Sequence, residues 1–119
     1  MKRYDIVSKD RPMAAIKIEA FFGEGFADPS RIADNEFKEP LRQITRAAGG
    51  WSMTEITGGW TGAETNMEKG VMFTVVVDGL NLMSRSQEVA KALGEIGKAA
   101  GEEAVYLVAT QSDGACVGL

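Results

Sequence analysis

The sequence predicts an α+β fold: one four-stranded antiparallel sheet with two helices on a single face. Three observations lead there. Four segments carry the apolar pattern of strands, two carry the pattern of helices, and they follow one another as β-α-β-β-α-β. That order is the split βαβ, or ferredoxin-like, arrangement, in which the first and third strands take the central places.

Each element has its own justification. In AAIKIEAFF, Ala14 to Phe22, the residues Ile16, Ile18, Ala20 and Phe22 fall on one face while Lys17 and Glu19 point away, a half-buried strand. Asp28 followed by Pro29 reads as an N-cap with proline at the first helical position. From there Ile32 or Ala33, Phe37, Leu41, Ile44 and Ala48 recur at helical spacing until Gly49-Gly50, which supplies a left-handed stop. Pro40 interrupts that pattern and removes a backbone donor, so a kink near residues 37–39, or two short helices meeting there, is expected.

The second strand, WSMTEIT from Trp51, is the more polar one and suits a sheet edge. The third, VMFTVVVDG, is nearly continuous in valine and phenylalanine, as expected of a central strand covered on both faces. Ser84 with Gln87 three residues on reads as a capping box opening a helix lined by Val89, Leu93, Ile96 and Ala100 and ended by Gly101. AVYLVAT is the last strand. A single domain over residues 1–119 follows, with an N-terminal arm (1–12) and a C-terminal tail (111–119).

A chain of 119 residues buries roughly two thirds of the surface its unfolded form exposes, enough for one core. The formal charge of −4 and pI near 4.8 oppose nucleic acid as a partner, because phosphate binding draws on clustered Lys and Arg. No apolar run approaches the ~18–20 residues of a membrane span, and charged residues break the first segment before it could act as a signal-peptide core. A cytoplasmic protein is the expectation. Cys116 stands alone and there is no histidine, which removes intrachain disulfides, Ser-His and Cys-His nucleophile pairs and imidazole metal sites. Neither a metal nor a cofactor is expected.

The candidate binding residues lie in the polar tip TGAETNMEK after the second strand: Trp60, Glu64, Asn66 and Lys69 combine a flat apolar ring with donors and acceptors. A solvated turn, with one tryptophan packed as core, is the competing reading. The GxG of FFGEGFADPS resembles a phosphate cradle but lacks a following lysine, and Asp28 is better explained as a cap. The acidic residues Glu24, Asp28, Asp34, Glu36 and Glu39 lack the alternating spacing of a calcium loop and read as a solvated face. No catalytic residue is assigned. Glu19 or Glu55 would become a candidate base only if enclosed by a pocket.

With Ile16, Ile18, Phe22, Val71, Phe73, Val75 and Val77 inward, alternation leaves Ala15, Lys17, Glu19, Phe21, Met72, Thr74 and Val76 outward. The last strand adds either Tyr106 and Val108 or Val105 and Leu107. An outward face with Phe21, Met72, Val76, Tyr106 and Val108 is too apolar for water alone and predicts self-association, sheet to sheet or edge to edge.

AFFGEG, then FKEPLRQI, then GGWSMTEITGGWTG resembles a poorly characterised bacterial family of small ferredoxin-like proteins over about residues 14–108. The resemblance implies fold rather than function. The layout and the segments KIEA and MTEITG are also similar to PII-type signalling proteins, which implies a trimer binding nucleotides near the base of the long hairpin. QSDGACVGL lacks the basic residues which that family carries after its last strand. The expected role is a non-catalytic, oligomeric binding or interaction module for a small molecule or a protein. The alternative is a cofactor-independent enzyme of the dimeric ferredoxin-like type.

Overall fold

The computed structural model describes residues 13–58 and 68–114. Its strands are β1 (Met13–Phe22), β2 (Ser52–Gly58), β3 (Glu68–Asp78) and β4 (Tyr106–Gly114); its helices are α1 (Lys38–Ala48) and α2 (Leu82–Ala99). All strand pairs are antiparallel and the sheet order is β2-β3-β1-β4, the ferredoxin-like order with β1 and β3 central.

Alternation sets which side chains the sheet buries. Ile16, Ile18, Ala20 and Phe22 of β1 and Val71, Phe73, Val75 and Val77 of β3 form one core with Ile44 and Ala47 of α1 and Val89, Ala92, Leu93 and Ile96 of α2. The reading of β3 as covered on both faces is corrected. Its even-numbered side chains are only half-buried at Met72 and Thr74 and exposed at Val76, so the helices cover one face alone. Ala15, outward by alternation, is nevertheless buried.

The segment expected to open the first helix folds differently. Asp28 caps Pro29 as predicted, its carboxylate accepting from the Ser30 N–H at 3.0 Å, but the turn it opens (Pro29–Ala33) is a 3₁₀ helix. A second 3₁₀ turn spans Asn35–Phe37, and the α-helix starts only at Lys38. Pro40 explains the late start. Further upstream its ring would meet the carbonyl four residues back, whereas in the first turn its missing N–H has no helical partner to lose. The two pieces do meet near residue 37. Arg31 secures the 3₁₀ segment: it donates to the carbonyls of Gly25 (2.8 Å) and Ala100 (3.3 Å) and lies 5.5 Å over the Phe37 ring. Gly49 ends α1 with φ +86°, the left-handed stop.

The capping box at Ser84 is also corrected. The helix begins at Leu82, with Asn81 as a left-handed cap (φ 56°), and the Ser84 hydroxyl donates back to the Asn81 carbonyl at 3.1 Å. The C-terminal tail is shorter than expected, since residues 111–114 extend β4 and pair with Met13–Ile16 of β1. Residues 1–12, 59–67 and 115–119 lie outside the described residues, and with them the expected N-terminal arm, residues 61–67 of the expected tip 61–69, and Cys116.

Candidate functional site

The chain turns sharply where β1 ends, because Gly23 starts a short 3₁₀ turn, Glu24–Phe26, whose Phe26 drops into the core. The Phe26 N–H donates to the Gly23 carbonyl at 2.9 Å. The Gly23 N–H points elsewhere, donating to Glu102 Oε1 at 2.7 Å. A charged acceptor makes this a strong main-chain contact.

Glu102 reaches that point because of how α2 ends. Gly101 adopts φ +85°, a conformation costly for other residues, and turns the chain back; the Glu102 N–H then donates to the Gly97 carbonyl at 2.9 Å. Glu68, the first residue of β3, arrives from the other side. A Cβ placed on Gly23 would lie 3.3 Å from Glu68 Oε2 and 3.8 Å from Glu102 Oε1, so both carboxylates face one small volume that glycine leaves open. Neither carboxylate is salt-bridged to a lysine or arginine among the described residues.

Two residues before Gly23, at Phe21, the outward sheet face is aromatic. Phe21 sits opposite Tyr106 across β1 and β4, with ring centroids 6.0 Å apart and planes tilted by 37°, and Met72 flanks Phe21 from β3. Tyr106 is 67% exposed and Val76 48%. Val108 is half-buried opposite Glu19. The register therefore brings Phe21, Met72, Val76, Tyr106 and Val108 to one face, and of the two pairs left open for the last strand it selects Tyr106 and Val108. Leu107 instead packs against the core.

Of the binding candidates, Trp60, Glu64 and Asn66 lie outside the described residues. Lys69 belongs to β3 rather than to the tip; it stands opposite Thr57 and is exposed. With Ala27, Pro29, Glu55, Ile56, Thr57 and Gly70 it lines an open cleft of about 530 Å³ between the β2–β3 ladder and the 3₁₀ segment. Trp51 stacks on Phe73 with centroids 5.4 Å apart and is structural.

Four of the five acidic residues are occupied locally, while Glu24 is exposed and has no side-chain partner among the described residues. Glu36 pairs with Arg31 at 3.0 Å, Glu39 with Arg42 at 2.9 Å, and Asp34 lies 3.8 Å from Arg31. The Ser30 hydroxyl, then its N–H, hold the Asp28 carboxyl below its usual range. In the GxG, Gly25 is needed for packing, because a Cβ there would meet the Ala100 carbonyl at 2.5 Å, and the Gly23 N–H already serves Glu102.

Sequence reasoning missed Glu68 and Glu102. Glu68 reads as one more polar residue of the hairpin tip, and Glu102 falls just past the glycine that ends the second helix; that left-handed stop at Gly101, which turns the chain back, was the available hint.

No family model matches the chain, and no curated protein does. Among solved structures the fold is similar to that of a phage SAM lyase in its apo state, at 15% sequence identity and a TM-score of 0.52, over 93% of this chain and 86% of that one. At such identity the likeness establishes a shared fold and nothing finer.

Proposed function

We propose that this protein is a self-associating binding module whose ligand is a small, positively charged molecule held where Glu68 and Glu102 meet at Gly23. One observation carries the reading: two carboxylates without basic partners among the described residues face the same volume, one of them anchored by a main-chain N–H at 2.7 Å. A cation there is attracted by both charges, and the neighbouring Phe21 and Tyr106 rings offer stacking and cation–π surface. Glu68 stands at the base of the β2–β3 hairpin, opposite Gly58, and its carboxylate favours a cation there rather than the nucleotide that the PII-type resemblance implies. The apolar outward face supports self-association of two or more copies through Phe21, Met72, Val76, Tyr106 and Val108, in a cytoplasmic setting.

The phage SAM lyase suggests the probe. S-adenosylmethionine joins a sulfonium cation to an adenine ring, the two features that this surface suits. Isothermal titration should show it binding at least about tenfold more tightly than S-adenosylhomocysteine, which lacks the sulfonium charge, and Glu68→Gln or Glu102→Gln should each weaken it about tenfold. Equal affinity for both compounds, or variants that bind like the parent, would remove the proposal.

The second reading is a cofactor-independent enzyme of the ferredoxin-like type, in which one of these carboxylates moves a proton. Its support is the same carboxylate pair, and the fold over most of the chain is one that a lyase also uses. Mass spectrometry of S-adenosylmethionine incubated with the protein separates the readings: binding without consumption leaves the module, and consumption abolished by Glu68→Gln establishes the enzyme.

A further inference from the structure

We propose that the cleft between the β2–β3 ladder and the turn at Pro29 is a second binding site, taking a small zwitterion of the α-amino-acid class. Register places its two charges. Glu55 stands opposite Val71 and Thr57 opposite Lys69, so Glu55 and Lys69 are diagonal neighbours on one strand face, roughly 7–8 Å apart at the backbone. They share the face of the core residue Val71, at the end of the ladder where both are exposed rather than packed. Neither forms a salt bridge, with the other or with any further residue among those described.

One anion and one cation, spaced but not joined, select their complement. A ligand ammonium meets Glu55 and a ligand carboxylate meets Lys69; a dicarboxylate is repelled at the first, a diamine at the second, and a nucleotide finds a single lysine for several phosphate charges. The cleft volume of about 530 Å³ falls within the ~300–1,000 Å³ of small-molecule sites, too large for a bare ion. Ala27 and Pro29 form an apolar wall for the ligand side chain, and the Thr57 hydroxyl adds a donor and acceptor. This site does not rest on the Glu68–Glu102 reading and uses neither residue.

The test is an amide NMR titration of the whole protein with L-leucine, L-leucinamide, which lacks the carboxylate, and N-acetyl-L-leucine, which lacks the ammonium. Leucine is expected to shift the Glu55, Lys69 and Gly70 amides saturably, with a dissociation constant on the order of 1 mM, and each derivative to bind at least about tenfold more weakly. Glu55→Gln and Lys69→Met should each lower leucine affinity about tenfold, while Glu68→Gln leaves it unchanged. Equal response to the three compounds, shifts centred outside the cleft, or no saturable shift by about 20 mM would each overturn the assignment.

Discussion

Phe26 offers the sharpest test of how the core holds the candidate site. Its ring is fully buried, with centroids 5.5 Å from Phe22, 5.1 Å from Phe37 and 6.2 Å from Phe73, so truncation empties the middle of an aromatic cluster. Losing about 150 Å² of buried aromatic surface at about 25 cal/mol per Å² removes about 4 kcal/mol. The lost ring–ring contacts carry Phe26→Ala to about 4–5 kcal/mol, the upper end for such substitutions and a large share of a domain's 5–15 kcal/mol. In urea, with a slope of about 1.5 kcal/mol per molar, the midpoint should fall by about 3 M. Phe26→Leu, which keeps most of the volume, should lose only about 1–1.5 kcal/mol and so retain the turn that presents the Gly23 N–H to Glu102. A loss below about 2 kcal/mol for Phe26→Ala would mean that the 3₁₀ segment is not packed as described, and the position of Gly23 would lose its explanation.

Three further outcomes are expected. Asp28 has a folded pKa lowered from 3.8, so folding favours its carboxylate: the stability is fully present above the unfolded value and is lost as pH falls through the folded one. The difference in urea midpoint between the parent and Asp28→Ala should therefore stay constant from about pH 7 to 5 and shrink below about pH 4. Pro40→Ala should destabilise by about 0.5–1 kcal/mol in thermal unfolding, since a proline in the first turn restrains the unfolded chain, whereas a helix-breaking proline would give a gain of about 3 kcal/mol. On α2, Gly97→Ala pushes a methyl into the Val105 side chain and should cost about 1–3 kcal/mol, while Gly94→Ala, in open space, should gain about 0.5–1 kcal/mol; melting temperatures moving the same way for both would contradict the packing of that helix.

How much was legible varies with how local the cause is. β3 reads as central because apolar residues occupy both parities from Val71 to Val77, and α2 because its buried residues repeat at helical spacing; both patterns are contained in the segments themselves. The start of α1 was not legible at that level. Residues 29–37 have helical spacing, yet Pro40 bars an α-helical continuation, and Arg31 holds the alternative through contacts with Gly25, Glu36 and Ala100. The extension of β4 through residues 111–114 escaped for a different reason: a ladder against β1 joins backbone groups and leaves little mark in side-chain hydrophobicity. At the N-terminus of α2, Asn81 in a left-handed conformation displaced the cap expected at Ser84.

Alternation within β1 and β3 and helical spacing in the two helices are enough to place their core-facing sides, hence the class of fold and most of the apolar outward face, because burial with period two or 3.6 is a property of a segment alone; for the last strand both faces stayed open until its register with β1 was known. That Glu68, Glu102 and Gly23 meet, and that Glu55 and Lys69 face one cleft, follows from the folded arrangement alone. The first set comes from three separate elements, joined by the β2-β3-β1-β4 order and the turn at Gly101; the second depends on hairpin register and on a 3₁₀ segment folding beside it. Distances of that kind are set by how the chain returns on itself, and no single stretch of residues records them.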